Sequence, residues 1–125
     1  MRIEFDPNTP IYLQLMQLIR QAAAAGQLLP GGKVPSVREL AVEYAVNPNT
    51  VQKALAELER EGLLITERTV GRRITGDVEK INQLRAELAQ QQIDRFAGQM
   101  LALGFEREQL LKLLAEKWGI GNGNH

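Results

Sequence analysis

One segment, residues 35–62, limits what this chain can fold into, because it carries two helix starts, a tight turn and a helix stop in close succession. Ser36 is followed three residues later by a glutamate, the pattern of a capping box that satisfies backbone donors at a helix start. Asn47 followed by Pro48 is a second start signal, since a proline at the first helical position costs no hydrogen bond. Gly62 is suited to the left-handed conformation that ends a helix. The segment therefore predicts a helix-turn-helix.

The apolar residues of both helices recur at helical spacing and predict one buried face on each. These faces consist of Val37, Leu40, Ala41 and Tyr44 in the first helix, and Val51, Ala54, Leu55 and Leu58 in the second. The side chains left outside at the start of the second helix are suited to base edges and phosphates: Asn49, Thr50, Gln52 and Lys53. Phosphate would repel the acidic residues of 57–61, so the first half of this helix is the predicted reading end. The alternative is an ordinary helical hairpin with a merely solvated polar face.

After the second helix the pattern changes to two short β-prone runs, 63–67 and 72–75, separated by a tip with one glycine. A hairpin in this position is the wing of a winged helix-turn-helix. Arg68, Arg72 and Arg73 place three positive charges on or near it, where they suit phosphate or a minor groove. The alternative is three solvated arginines on a turn.

The segment before the helix-turn-helix predicts one further helix. Thr9 is the expected N-cap, with Pro10 at the first helical position and Ile11 in the buried stripe. Residues 27–35 form a connector that contains proline and glycine and is apolar enough to pack on the core. Ile3 and Phe5 alternate with charged residues and are candidates for a brief strand.

Composition excludes several function classes. The 125 residues suffice for one domain, or for one small domain with an appendage. The absence of cysteine removes thiol catalysis, and the one histidine is the terminal His125, so we expect no enzyme, no metal site and no cofactor. No apolar run approaches the roughly 20 residues of a membrane helix. Met1 is not followed by an apolar signal segment, so we expect a cytoplasmic protein.

Several short motifs occur in a fixed order along residues 10–75. They read PIY at 10–12, GQLLPG at 26–31, VPSVRELA at 34–41, VNPNTV at 46–51 and ELEREGL at 57–63. Together they resemble the DNA-binding domain of the GntR family of bacterial transcription regulators. The first and fourth motifs, followed by a short helical tail, are similar to the YtrA subfamily.

The resemblance implies a mainly α fold with a small β-hairpin wing, in which residues 1–76 are a winged helix-turn-helix and residues 77–125 a helical dimerisation tail. It implies a dimeric, sequence-specific regulator of transcription, most often a repressor on a palindromic operator. It also implies DNA contact by Arg38, Asn47, Asn49 and Thr50. Together with the residues singled out above, the predicted DNA-binding set is Ser36, Arg38, Asn47, Asn49, Thr50, Gln52, Lys53, Arg68, Thr69 and Arg72.

The wing departs from the family pattern, which usually reads Gly-x-Gly-x-Phe. This chain has TVGRR at residues 69–73, so the first glycine is missing and Arg73 stands where an aromatic residue would pack. We expect a stiffer or reshaped tip whose arginines still contact the DNA backbone.

The tail predicts two helices that bury their apolar faces against a second copy of the chain. Asp77 is a suitable N-cap for a helix from about Val78 to Leu103, and Glu106 caps a shorter one. The predicted dimer interface consists of Leu84, Leu88, Phe96, Met100, Leu103, Leu110, Leu114 and Trp118. Two alternatives to dimerisation remain open: the tail covers the winged domain, or it holds a small apolar effector.

The low net charge of the predicted winged domain also favours a dimer. Residues 1–76 carry nine basic and eight acidic side chains, a difference of +1, so a single winged domain should bind DNA weakly. Two-fold symmetry would place two reading helices about 34 Å apart, on successive turns of the major groove. The same low charge keeps a second function open, that of a winged-helix adaptor that binds protein.

Overall fold

The computed structural model describes residues 4–119. The predictions for Ile3 and His125 therefore lie outside the described residues. The chain forms two compact units, residues 1–87 and residues 88–125. The described elements are α1 (Ile11–Ala24), α2 (Val37–Tyr44), α3 (Pro48–Arg60), β1 (Leu64–Glu67), β2 (Gly71–Ile74), α4 (Val78–Ala102) and α5 (Arg107–Trp118).

The helix-turn-helix forms as its capping signals predict. Ser36 Oγ accepts a hydrogen bond from the Glu39 amide at 3.1 Å, and Glu39 Oε1 accepts one from the Ser36 amide at 3.0 Å. Asn47 caps α3, and Gly62 just beyond its end has a φ of +84°. Ala45 ends α2 in the left-handed region, with φ 54° and ψ 49°. A left-handed residue after α2 turns the chain sharply, which lets α3 begin only three residues later.

The core of the first unit lies where α1, α2 and α3 meet the hairpin. α3 supplies its centre, since the side chains of Val51, Leu55 and Leu58 have no exposed surface. Burying a side chain of this size contributes about 1.5–3 kcal/mol. The other buried members of this cluster are Leu15, Met16, Ile19, Ala23, Val34, Leu40, Ala41, Val46, Ala54, Leu63, Leu64, Ile74 and Ile81.

The start of α1 differs from the prediction. Pro10, not Thr9, occupies the N-cap, and no side chain caps the helix. The Thr9 hydroxyl donates to Asp6 at 3.1 Å instead, and the Gln14 amide donates to the backbone oxygens of Asp6 and Thr9 at 2.8 Å each. Ile11, expected in the buried stripe, is 41% exposed, and the buried side chains of α1 are Leu15, Met16, Ile19, Ala23 and Ala24.

The wing is an antiparallel hairpin that the connector extends. β1 pairs with β2 from Leu64 opposite Ile74 to Glu67 opposite Gly71, so Gly71 belongs to a strand and not to the tip. The Val34 amide donates to the backbone oxygen of Arg72 at 2.9 Å. The connector therefore lies beside β2, where Lys33 and Arg73 form an isolated antiparallel bridge.

α4 begins in the first unit and continues without a break into the second. Asp77 Oδ1 accepts a hydrogen bond from the Lys80 amide at 3.3 Å, as expected of an N-cap. Ile81 is buried and Leu84 packs against the core of the first unit, so this unit extends past residue 76. The functional boundary between residues 76 and 77 stays a prediction. Within residues 4–119, none of the helices has both the length and the hydropathy needed to cross a bilayer.

Candidate nucleic-acid interface

The start of α3 carries polar side chains that the fold does not use for packing. Asn49, Gln52 and Lys53 are exposed, and Thr50 is half-buried. The opposite face is fixed by Val51, Ala54, Leu55 and Leu58, each with no exposed surface. The orientation of α3 is therefore set by its buried face, and its polar face is presented to solvent on a rigid element.

The side chains of Asn47 and Asn49 have different roles. The side-chain oxygen of Asn47 accepts a hydrogen bond from the Asn49 amide at 2.8 Å and so caps the helix. Within residues 4–119 the Asn49 side chain forms no hydrogen bond with protein. A free carboxamide at this position can pair with both hydrogen-bonding groups of an adenine edge.

Lys53 is held by a residue outside the helix-turn-helix. Its ammonium nitrogen lies 4.1 Å from the centroid of the Tyr12 ring, which α1 supplies. A cation over an aromatic face is stabilised and loses mobility. Sequence reasoning missed this role of Tyr12, because nothing in the spacing of the two residues shows that α1 and α3 cross here.

The start of α2 presents a hydroxyl, a guanidinium and an ordered carboxylate. Hydrogen bonds from the backbone and the hydroxyl of Ser36, with a smaller contribution from the charge of Lys33, lower the pKa of Glu39. The Ser36 oxygen also accepts the Glu39 amide in the cap. Arg38, next along the helix, is exposed.

The wing arginines differ in what they contact. Arg68 and Thr69 at the tip are exposed. Arg72 donates from Nε to Glu59 Oε1 of α3. Arg73, at the position of the expected aromatic, donates to the Gly31 carbonyl at 2.9 Å and pairs with Glu67 at 3.1 Å. A cleft of about 290 Å³ separates the wing from the start of α2 and is lined in part by Ser36 and Arg72.

Ion pairing sorts the basic residues of the first unit into two groups. Four form ion pairs, namely Arg20 with Glu61, Arg60 with Glu57, Arg72 with Glu59 and Arg73 with Glu67. Among residues 4–119 no carboxylate pairs with the other six, which are Lys33, Lys80, Arg85 and the three cations Arg38, Lys53 and Arg68. These three cations belong to α2, α3 and the wing tip, the elements that sequence reasoning assigns to DNA.

The predicted dimer residues are distributed over both units. Leu84 packs against the core of the first unit. In the second unit Leu110 is buried, and three side chains are half-buried: Leu88, Met100 and Leu114. The three remaining members are exposed: Phe96 at 39%, Leu103 at 73% and Trp118 at 78%. Ile93, Leu101 and Leu111, which were not in the predicted set, are more than half exposed.

Comparison with known proteins identifies relatives of this arrangement. A family model described as bacterial regulatory proteins, gntR family, matches residues 11–74. The transcriptional repressor YtrA of Bacillus subtilis (strain 168) is 42% identical over 105 residues, which cover 77% of this chain and 81% of that protein. A GntR family transcriptional regulator from Listeria monocytogenes has a similar structure, with a TM-score of 0.81, 37% identity and coverage of 90% of this chain and 98% of its own. The AraR DNA-binding domain in complex with operator ORX1 is also similar, with a TM-score of 0.54, 26% identity and coverage of 60% and 95%.

Proposed function

Because the chain belongs to the gntR family of bacterial regulatory proteins, which are transcription regulators and not enzymes, we propose that it is a dimeric repressor that binds a palindromic operator in the cytoplasm. The predicted YtrA-like subfamily and the winged helix-turn-helix fold are both confirmed by the similar proteins.

The exposed start of α3 is the observation that carries the DNA-binding part of the proposal. Its carboxamide and hydroxyl groups suit base edges, and its buried face leaves it no freedom to rotate. Arg38, Lys53 and Arg68, on α2, α3 and the wing tip, form no ion pair with a carboxylate of residues 4–119 and suit the phosphates. AraR, whose DNA-binding domain is similar, is bound to an operator in its structure.

Exposed apolar surface supports the dimer. Within residues 88–119, six large apolar side chains are 39% to 78% exposed. Several large apolar side chains exposed within one short segment commonly mark an association surface. An isologous interface between two copies would bury the same patch twice and would set two α3 helices in two-fold symmetry.

Repression is supported by the similarity to YtrA, which is itself named a repressor. A dimeric repressor of this kind acts most simply by occupying its operator and excluding other proteins from the same DNA.

A salt titration tests DNA binding against the alternative of a protein-binding adaptor. If Arg38, Lys53 and Arg68 each neutralise one phosphate in both protomers, a plot of log affinity against log salt should have a slope of about −5. The measurement is fluorescence anisotropy on a duplex that carries the operator, from 50 to about 300 mM salt. An adaptor would show no salt-dependent DNA binding, and that result would contradict the proposal.

A further inference from the structure

Glu59, in the last turn of α3, contacts both strands of the wing. Thr66 of β1 donates its hydroxyl to Glu59 Oε2 at 2.6 Å. Arg72 of β2 donates from Nε to Glu59 Oε1 at 2.5 Å. One carboxylate therefore accepts a side-chain hydrogen bond from each strand, with a different oxygen for each.

The register of the hairpin explains this geometry. Thr66 and Arg72 lie directly opposite each other in the β1–β2 ladder, so their side chains emerge on the same face. Leu64 and Ile74, two residues farther in on the same face, are buried in the core. Glu59, Thr66 and Arg72, here called the Glu59 cluster, therefore attach the wing to α3 farther out along the hairpin than the apolar core reaches.

The cluster is partly shielded from solvent. The side chains of Arg72 and Glu59 are 20% and 30% exposed. The hydrogen bond from Thr66, and then the hydrogen bond and charge of Arg72, lower the pKa of Glu59. The carboxylate is therefore ionised at neutral pH, and hydrogen bonds to an ionised acceptor are shorter and stronger than neutral ones.

The outer part of the wing has few other attachments to the first unit. The connector is hydrogen-bonded to β2 as far along the strand as Arg72, whose carbonyl accepts the Val34 amide at 2.9 Å. Beyond this point the hairpin continues to its tip, where Arg68 is exposed. Among the side-chain hydrogen bonds of residues 4–119, those to Glu59 are the ones that join the wing to α3 itself.

We propose that Glu59 is a positioning residue for DNA binding, which fixes the wing relative to α3 so that Arg68 at the tip reaches the phosphates beside the operator groove. Arg72 then supports the wing through its Nε. This inference rests on the proposed function.

The direction in which a substitution of Glu59 changes operator affinity distinguishes a positioning role from simple charge repulsion. A carboxylate near DNA repels phosphate, so its neutralisation alone should strengthen binding. If Glu59 positions the wing, Glu59→Gln weakens operator binding, by about tenfold, although it removes a negative charge. Thr66→Val should weaken binding in the same direction with no change of charge. Glu57→Gln is the matched control, because Glu57 is on the same helix and, within residues 4–119, pairs with the exposed Arg60 and with no part of the wing.

A double-mutant cycle assigns the effect to the wing tip. Arg68→Ala alone should weaken binding and reduce the salt slope by about one per protomer. Adding Glu59→Gln to Arg68→Ala should then cause little further loss, because the contact that Glu59 supports is already gone. Full additivity of the two losses, or a Glu59→Gln affinity equal to or above that of the wild type, would overturn the inference.

Hydrogen exchange in the free protein provides a readout without DNA. In Glu59→Gln the amides of residues 65–71 should exchange faster, while those of Leu55 and Leu58 keep their wild-type protection. Unchanged exchange in residues 65–71 would overturn the positioning role. A wild-type protein that fails to bind DNA would instead contradict the proposed function, so the two failures are distinguishable.

Discussion

Replacing Arg38 or Asn49 by alanine is expected to weaken operator binding by about 1–3 kcal/mol in each half-site, or about 5- to 150-fold. Neither change should destabilise the protein. Arg38 is exposed and unpaired within residues 4–119, and alanine is a good helix former. Asn49 contributes its backbone amide to the cap, which an alanine retains. The loss therefore reports DNA contact and not a loss of fold.

The two variants should change different properties of DNA binding. Asn49→Ala removes a base-edge contact and is expected to relax specificity at one position of the half-site. Arg38→Ala removes a phosphate contact and is expected to weaken binding to all sequences and lower the salt slope by about one per protomer. Anisotropy titrations on the operator and on single-base variants measure both effects. Gln21→Ala, an exposed change on α1, is the control, and wild-type affinity in both test variants would refute the assignment.

Phe96→Asp is expected to convert the protein to a monomer and to lower its affinity for the full operator by about 100-fold or more. A charge in an apolar interface loses its hydration without gaining a partner, so the interface should open. Phe96 is 39% exposed in the single chain, so the change should leave the fold of each protomer intact. Binding to an isolated half-site should be unaffected, because the winged unit is unchanged.

Sedimentation velocity and titrations on full and half operators measure these outcomes. Gln91→Asp is the matched control, because it adds the same charge to α4 at an exposed position five residues away and hence on a different face. A Phe96→Asp protein that remains dimeric would place the interface elsewhere. A monomeric protein with wild-type operator affinity would contradict the role of the dimer in DNA binding.

The local signals of the helix-turn-helix were sufficient to predict it. Ser36, Asn47 and Gly62 act through hydrogen bonds and dihedral angles within their own turns, so their neighbours in sequence determine what they do. The buried face of α3 followed from spacing alone, because a helix that packs on one side has a 3.6-residue period.

Side chains that interact across elements were not predictable in the same way. The contacts of Lys53 with Tyr12 and of Arg72 with Glu59 depend on how α1 and the wing lie against α3. Sequence reasoning treated Glu59 only as one of an acidic group that phosphate would repel. Once the register places Thr66 opposite Arg72, both donors point toward that carboxylate and its role becomes visible.

The start of α1 shows how one unforeseen contact changes a prediction. Thr9 had the residue type and position of an N-cap, but Asp6 competes for its hydroxyl and Gln14 bonds the same turn. Sequence alone does not rank such competing local hydrogen bonds, because their energies are similar.

Selection of bound duplexes from a random pool tests the central claim most directly, since the operator sequence does not have to be known. If two copies of the chain read DNA through α3, the recovered sequences should share an inverted repeat whose half-sites are centred about 10 base pairs, or a multiple of one helical turn, apart. The same selection with Asn49→Ala should lose preference at one position of each half-site. Recovery of no common sequence, or of a single unrepeated site, would contradict the account.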